Sequence, residues 1–224
     1  MELKGVIFDF NGTLFLDAEK HNIAWKAYSK ELRGSELTDE ELDVHVHGRT
    51  NKAILEYILN KEFNDDSWVE FSDKKEKVYR DMCLKDKEGF KLTEGAEDLF
   101  DYLKANNIPF TIATGSEEVN VIFFIENFKL DKWFNKESLV FNDGTFKGKP
   151  DPDMYLRACK KLNLKPEECI VFEDSLSGIE SAKRANIGKI IALASEDKKD
   201  TFLLNPSVDA VISNFNSFDR NILK

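Results

Sequence analysis

The stretch Val6-Ile7-Phe8-Asp9-Phe10-Asn11-Gly12-Thr13-Leu14 sets the expectation for the fold. Its first three residues form a short β-branched and aromatic run, which is typical of a strand buried on both faces of a parallel sheet. Asp9 follows this run and precedes a glycine turn, and open α/β sheets bind ligands beyond the carboxyl ends of such strands. We therefore predict that Asp9 lies at the chemically active edge of a sheet, where it is the candidate nucleophile.

The rest of the chain divides into two regions of different pattern. Residues 15–89 contain amphipathic helical patterns and no proline, which predicts three or four helices with Ile23, Tyr28 and Leu42 facing one small core. From residue 90 onward strands and helices alternate, as they do in right-handed βαβ units. The predicted strands of that region are 109–114, 139–141, 170–172, 190–193 and 210–212. We expect an α/β fold with a doubly wound parallel sheet, formed by residues 1–14 and 90–224, into which residues 15–89 are inserted as an all-helical cap domain.

Composition and charge narrow the class of ligand. The net charge of −10 argues against a nucleic acid partner, because nucleic-acid-binding proteins carry basic patches. No apolar stretch approaches the roughly 20 residues of a membrane span, and a strand starts too early for a signal peptide, so we expect a cytoplasmic monomer without membrane association. Cys83, Cys159 and Cys169 are odd in number and widely spaced, which favours packing roles over disulfides or a zinc site.

Two further segments follow predicted strands and carry groups suited to phosphate. Thr114-Gly115-Ser116 offers hydroxyls and backbone amides that can hold phosphate oxygens, although Ser116 serves equally well as a helix cap. Lys149 stands before two prolines that lead into a helix. An ammonium within about 4–6 Å of Asp9 would help to keep the nucleophile ionised, whereas the alternative is a solvated loop lysine.

A fourth segment, Glu173-Asp174, follows the predicted strand 170–172. Two adjacent carboxylates at a buried strand end repel each other and need a cation. Mg²⁺ suits such oxygen ligands and keeps some of its waters. Each of the four segments is a weak signal alone, and their occurrence together at strand ends is the strong one.

Together the four segments resemble motifs I to IV of the haloacid dehalogenase superfamily of phosphohydrolases and phosphomutases, over nearly the whole chain. The resemblance implies that Asp9 takes the phosphoryl group as an aspartyl-phosphate. It implies that Mg²⁺ is bound by the Asp9 carboxylate, the main-chain carbonyl of Asn11 and Asp174, with Glu173 binding directly or through water. The groups implied to hold the phosphoryl oxygens are Gly12, Thr13, Thr114, Gly115, Ser116 and Lys149.

The position of the helical insert, with His21 and Trp25 after the first motif, is similar to the branch that contains β-phosphoglucomutases and sugar phosphatases. By that resemblance His21 is a substrate-side histidine, and Arg49 is an offset candidate for gripping a distal phosphate or else a solvated helix charge. His45 and His47 suggest a metal pair only weakly, since no third ligand is in view.

Asn11 departs from the family, which usually has a second aspartate here as general acid/base. An amide has no useful acid or base form, and positioned acid/base groups contribute roughly 10²–10⁴-fold in rate. One interpretation is a natural enzyme that is slow, specialised for good leaving groups, or helped by Asp17, Glu19, Lys20 or His21. A second is an engineered aspartate-to-asparagine variant, and a third is a protein that binds phosphate ligands without turnover.

The sequence thus predicts a Mg²⁺-dependent phosphohydrolase or phosphomutase acting on a small phosphomonoester, with a sugar phosphate as the default. The alternative is a phosphate-binding pseudoenzyme or a partner-binding module on the same scaffold. The intact Asp9, Lys149 and Glu173-Asp174 argue against that alternative, because a chain released from catalysis has no need of adjacent buried carboxylates.

Overall fold

The computed structural model describes residues 2–223 and divides into two compact units. The core unit comprises Met1–Leu16 and Lys91–Lys224, and the helical unit comprises Asp17–Phe90. The expected α/β class is confirmed, with the helical unit inserted after the first strand of a parallel sheet.

The sheet of the core unit has six parallel strands within the described residues, in the order β3-β2-β1-β4-β5-β6. The strands are β1 (Gly5–Phe8), β2 (Phe110–Glu117), β3 (Val140–Asn142), β4 (Cys169–Glu173), β5 (Lys189–Leu193) and β6 (Ala210–Ile212). Strand β1 is central, and Phe8 at its end pairs with Ile112 of β2 and Phe172 of β4. Because all three strands run in the same direction, whatever follows β1, β2 and β4 is brought to one edge.

Helices cover the sheet, and aromatic side chains fill much of its core. The helices of the core unit are α5 (Ala96–Ala105), α6 (Glu118–Phe128), α7 (Asp153–Leu162), α8 (Leu176–Arg184) and α9 (Lys199–Leu203). The ring of Phe8 stacks on Phe172 with centroids 5.2 Å apart and meets Phe100 edge to face. Such pairs stabilise beyond their buried area, so this packing helps to position the residues before Asp9.

The helical unit has four helices, in agreement with the predicted three or four. They are α1 (Ala18–Arg33), α2 (Asp39–His45), α3 (Asn51–Leu59) and α4 (Trp68–Lys85). Tyr28 and Leu42 are buried as predicted, but the inward placement of Ile23 is wrong, since its side chain is 48% exposed. Helix α1 instead buries Ala24 and Trp25, which lie four and three residues before Tyr28 and so share its face. None of the helices in residues 2–223 combines the length and the apolarity that a bilayer crossing requires.

Two elements near the active edge differ from their predicted bounds. Strand β2 extends to Glu117, and its register on β3 shifts between Ala113 and Glu117, so Thr114-Gly115-Ser116 lies in an irregular strand end. The sequence pattern predicts the helix after β4 over residues 177–185, and α8 begins one residue earlier, at Leu176, because the Ser175 hydroxyl caps it by accepting a hydrogen bond from the Gly178 amide at 3.1 Å.

Candidate active site

Asp9 and Lys149 meet at the carboxyl end of β1. The Asp9 side chain is almost fully buried, and the Lys149 Nζ lies 2.5 Å from its Oδ1. Lys149 comes from the loop between β3 and α7, and it also donates to Oε1 of Glu173. One buried ammonium therefore bridges two carboxylates that are far apart in sequence, and the alternative of a solvated loop lysine is wrong for Lys149.

Burial controls the protonation of this pair. Burial raises the pKa of Asp9 to about 7, with the positive charge of Lys149 opposing the shift and the negative charge of Glu173 adding to it. Burial alone would lower the pKa of Lys149, but the charges of Asp9 and Glu173 raise it above its usual value, so the ammonium is retained. Lys149 favours the ionised Asp9 as predicted, yet burial and Glu173 outweigh it. A second positive charge at this edge would favour the ionised form of Asp9 further.

Glu173 is held on both oxygens by protein donors. Its Oε1 accepts from Lys149 and from the Tyr155 hydroxyl at 3.2 Å, and its Oε2 accepts from the Ser175 amide at 2.5 Å and the Ser175 hydroxyl at 3.0 Å. Gly178 makes room for this carboxylate, since a Cβ there would lie 1.7 Å from Oε1. With these donors in place, Glu173 is better suited to reach a cation through water than directly.

The residues of this edge fit a divalent cation. Among residues 2–223, one acidic group has carboxylate oxygens close enough to share an ion, and it consists of Asp9, Glu173 and Asp174 within 4.8 Å of one another. Three carboxylates face one ammonium, so the ionised cluster carries an excess of negative charge that matches a divalent ion. All donors are hard oxygens, which is the ligand set that Mg²⁺ prefers.

Asn11 faces the end of strand β2. Its Oδ1 accepts hydrogen bonds from the Ser116 hydroxyl at 2.7 Å and the Thr114 hydroxyl at 3.3 Å. Thr114 Oγ1 in turn accepts from the Ser116 amide at 3.1 Å, and Gly115 lies between the two hydroxyl residues. The structure thus brings the first two motifs together, with the amide carbonyl of Asn11 turned toward the hydroxyls.

The turn at Gly12 requires a glycine, but its backbone amides are not arranged for the phosphate-binding role that the sequence predicts. Its φ is +80°, and a Cβ would lie 2.0 Å from Asp174 Oδ2. The Gly12 amide donates to the Phe15 carbonyl at 2.7 Å, and the Thr13 amide donates to the Phe10 carbonyl at 3.2 Å. Because these amides are used within the turn, the expectation that they hold phosphate oxygens is not supported. Thr13 instead donates its hydroxyl to Asp174 Oδ1 at 3.2 Å and so orients a candidate metal ligand.

The remaining predicted residues, His21 and Arg49, belong to the helical unit. The Nδ1 of His21 lies 2.7 Å from the Lys75 Nζ, and its Nε2 lies 3.4 Å from Asp17 Oδ2. Asp17 is fully buried and accepts a hydrogen bond from the Tyr79 hydroxyl. Arg49 is exposed, and its backbone amide closes a turn onto the Val46 carbonyl at 3.0 Å.

His45 and His47 are half-buried in contacts with other side chains, and the three cysteines pack as expected. The ring of His45 stacks on Tyr57 with centroids 3.8 Å apart, and His47 Nε2 lies 2.9 Å from Asn22 Oδ1, so their contacts are with protein groups. Cys83, Cys159 and Cys169 are free and buried, which confirms packing roles.

Sequence reasoning missed the partners of the charged groups. Tyr155 is the third residue of α7 and is fully buried, yet a tyrosine on an amphipathic helix is normally assigned to the core. Lys75 and Tyr79 lie four residues apart on α4, among many charges that the helical pattern assigns to solvent. The available signal was their spacing, which places both side chains on the same face of α4.

Comparisons with known proteins agree with this geometry. The family described as haloacid dehalogenase-like hydrolase matches residues 6–192. The crystal structure of a haloacid dehalogenase hydrolase of family IA, variant 3, from Entamoeba histolytica superposes with a TM-score of 0.87 at 44% identity, covering 100% of this chain and 97% of that one. The chain is also similar to a phosphorylated carbohydrates phosphatase of Thermotoga maritima, at 29% identity over 94% of both chains. A β-phosphoglucomutase of Bacillus subtilis is 27% identical over 83% of this chain and 81% of its own length.

Proposed function

We propose that this chain, which belongs to the haloacid dehalogenase-like hydrolase family, is a Mg²⁺-dependent phosphohydrolase that uses Asp9 as its nucleophile toward a small phosphomonoester. It is an enzyme, since its relatives are named phosphatases and phosphomutases. The observation that carries the proposal is the buried contact of Lys149 with Asp9 and Glu173, beside Asp174 at the same sheet edge.

Each residue has a physical role in this reaction. Asp9 attacks phosphorus in line, while Lys149, Thr114 and Ser116 hold the phosphoryl oxygens. Phosphoryl transfer needs little covalent work from a protein, and most of the catalysis comes from positioning and charge neutralisation. Glu173 keeps Lys149 aimed at Asp9, and Tyr155 and Ser175 keep Glu173 in place.

Asp9, the Asn11 carbonyl and Asp174 would hold Mg²⁺, with Glu173 reaching it through water. When bound, the ion neutralises charge on the transferring phosphoryl group and on Asp9. Because the contribution of Asn11 to this set is a main-chain carbonyl, an asparagine side chain at that position leaves the metal site intact.

Carbohydrate phosphates are the first compounds to test as substrates. The support for this class is the naming of similar proteins as a phosphorylated carbohydrates phosphatase, a hexitol phosphatase and a β-phosphoglucomutase. Each is under 30% identical to this chain, so the substrate must be found by a screen of phosphorylated metabolites.

The direct test of the function is Mg²⁺-dependent hydrolysis of p-nitrophenyl phosphate by the purified chain. Asp9→Ala should remove the activity while the circular dichroism spectrum is unchanged, because the change removes a site carboxylate and no core volume. Asp131→Ala alters an exposed carboxylate of the core unit and is the matched control. Calorimetry should show weaker Mg²⁺ binding by Asp174→Ala, and unchanged affinity would mean that the ion is misplaced.

A further inference from the structure

We propose that Arg157 is a positioning residue for Lys149, because it fastens the chain before that lysine to helix α7 and so keeps the ammonium on Asp9. The part that Lys149 plays in the reaction rests on the function proposed above. Arg157 is the fifth residue of α7, and it acts on the reaction through Lys149.

The chain that leads to Lys149 lacks regular structure. Residues 143–148 connect β3 to the lysine without a helix or a strand. Asp143, Gly144, Thr145 and Lys147 are exposed, whereas Lys149 is buried. An exposed connection of this kind opens locally unless other contacts hold it. The position of the Lys149 backbone therefore depends on what fastens these residues to the rest of the core unit.

The Arg157 guanidinium fastens this segment at Thr145. Its Nη1 donates to the Thr145 hydroxyl at 2.6 Å, and its Nη2 donates to the Thr145 carbonyl at 2.9 Å. The Thr145 hydroxyl donates in turn to Asp143 Oδ1 at 2.6 Å, and the same oxygen accepts from the Thr145 amide at 2.9 Å. Two bonds from one planar guanidinium fix direction as well as distance, so Arg157 holds both the backbone and the side chain of Thr145.

Arg157 is itself held in place by its own helix. Its Nε lies 3.1 Å and its Nη2 2.9 Å from Oδ2 of Asp153, one turn earlier. Its Cζ lies 5.0 Å from the centre of the Phe146 ring, and that ring also packs against the apolar core around Tyr155. Phe146 is three residues before Lys149, so the guanidinium and the core together hold the chain close to the lysine.

The chain after Lys149 is fastened by a different helix. The hydroxyl of Ser181, on α8, donates to the Asp151 carbonyl at 2.7 Å. This contact does not involve α7, so it remains when Arg157 is replaced. Loss of Arg157 should therefore release the chain on one side of the lysine and leave the other side in place.

A small release is enough to affect catalysis. The Lys149 Nζ lies 2.5 Å from Asp9 Oδ1, at the point where the phosphoryl group is to be transferred. A misplacement of about 1 Å in a reacting constellation can cost about 10²-fold in rate. Arg157 is partly exposed, and pairs of that kind contribute little to global stability, so its loss should change the rate more than the fold.

The first measurement is a double-mutant cycle on kcat/KM for p-nitrophenyl phosphate with Mg²⁺. Arg157→Gln should lower kcat/KM about tenfold in the parent, with an unchanged circular dichroism spectrum. In the Lys149→Met background the same change should cost less than about twofold, because residues that act through one group are not additive. A purely structural role would cost the same factor in both backgrounds.

The matched control removes a charge from the same helix. Lys160 is exposed on α7, and Lys160→Gln should leave kcat/KM unchanged in the parent.

The second measurement reports the position of Lys149 without using activity. Brief acetylation with acetic anhydride, followed by peptide mass spectrometry, gives the extent of labelling at Lys149 relative to exposed Lys147 on the same peptide. The buried ammonium should label slowly in the parent. The ratio of Lys149 to Lys147 labelling should rise about tenfold in Arg157→Gln, because local opening exposes the amine, and should stay at the parent value in Lys160→Gln.

A second variant tests the contact without altering α7. Thr145→Val removes the hydroxyl that accepts from Arg157, and it should raise the labelling ratio by about two- to tenfold. An unchanged ratio in both Arg157→Gln and Thr145→Val, or equal losses of kcat/KM in the two backgrounds, would contradict the proposal. If the parent shows no Mg²⁺-dependent turnover, the proposed function fails, and the labelling ratio still decides whether Arg157 positions Lys149.

Discussion

The two units each bury a lysine, and the two lysines are partnered differently. Lys149 in the core unit contacts two carboxylates, Asp9 and Glu173, with a third carboxylate nearby. Lys75 in the helical unit is just as buried, but it contacts one carboxylate, Glu76, at 2.8 Å.

The other contacts of Lys75 are with aromatic side chains. Its Nζ lies 2.7 Å from His21 Nδ1 and 4.8 Å from the centre of the Trp25 ring. Asn51 donates to the same Glu76 oxygen that accepts from Lys75, at 2.7 Å. Charges around Lys75 are therefore matched by groups of the protein itself, and the contacts serve to hold helices α1, α3 and α4 together.

The difference separates a stabilising network from a reactive one. Burying more carboxylates than ammonium groups costs free energy. A protein keeps such an excess where a bound cation and an anionic substrate balance the charges. The core unit has that excess, at the edge where three strands end. We therefore expect changes around Lys75 to act on stability and changes around Lys149 to act on catalysis.

The largest expected effect is on folding of the helical unit. Lys75→Met keeps the side-chain length but leaves Glu76 buried without its ammonium, so the free energy of unfolding should fall by about 3–5 kcal/mol. Denaturant unfolding measures the change. Lys74→Met is the matched control, because Lys74 is an exposed partner of Glu70 on the same helix and its loss should leave the free energy of unfolding unchanged within error. Equal losses for the two variants would mean that the buried network contributes no more than a surface pair.

The second effect is on catalysis in the core unit. Lys149→Met removes the ammonium that faces Asp9 and the phosphoryl oxygens, so kcat/KM for p-nitrophenyl phosphate should fall by about 10²–10³-fold or more, as for other charge-stabilising donors. Lys147→Met, two residues earlier and exposed, is the control and should keep its activity. Activity of Lys149→Met within a few-fold of the parent would remove Lys149 from the mechanism.

The third effect is a decrease in the free energy of unfolding of the metal-free protein as the pH rises. Burial raises the pKa of Asp9 from 3.8 in the unfolded chain to about 7 in the folded protein. The neutral carboxyl group therefore contributes its full stabilisation below the pKa of the unfolded chain, and this contribution is lost as the pH rises through about 7. The loss is at most about 1.4 kcal/mol of unfolding free energy per pH unit. The pKa of Lys149 is raised above this window and does not cancel the trend within it.

Denaturant unfolding from about pH 5 to about pH 8 should show this decline in the metal-free parent and not in Asp9→Asn, which has no carboxyl group to ionise. Added Mg²⁺ should flatten the decline, because it binds the folded state with Asp9 ionised. Parallel curves for the parent and Asp9→Asn would contradict the raised pKa of Asp9.

The active edge was predictable from sequence because it depends on topology. Asp9 follows an apolar strand, Glu173 ends one and Thr114 lies in the irregular last part of a third, and parallel strands bring such positions to one edge whatever the details of packing. The partners of buried charges were not predictable in the same way. Lys75 sits among charged residues on α4, and only the tertiary contacts with His21 and Trp25 reveal that it is buried.

The prediction for Ile23 was wrong for the related reason that tertiary packing decides which face of a helix is buried. Trp25 takes the centre of the buried face of α1, which turns Ile23 outward. The sequence does not predict that the Gly12 and Thr13 amides donate within their own turn. The amides of a glycine turn can point either outward or to carbonyl groups of the turn itself.

The most direct test of the account is the location of the phosphoryl group after reaction. The Asn11 protein is mixed with p-nitrophenyl phosphate and Mg²⁺, quenched, and reduced with borohydride, which converts an aspartyl-phosphate to homoserine. Peptide mass spectrometry should then find homoserine at position 9 and nowhere else. A phosphoryl group on Thr114 or Ser116, or hydrolysis of the aryl phosphate with Asp9 unmodified throughout turnover, would contradict the assignment of Asp9 as the nucleophile.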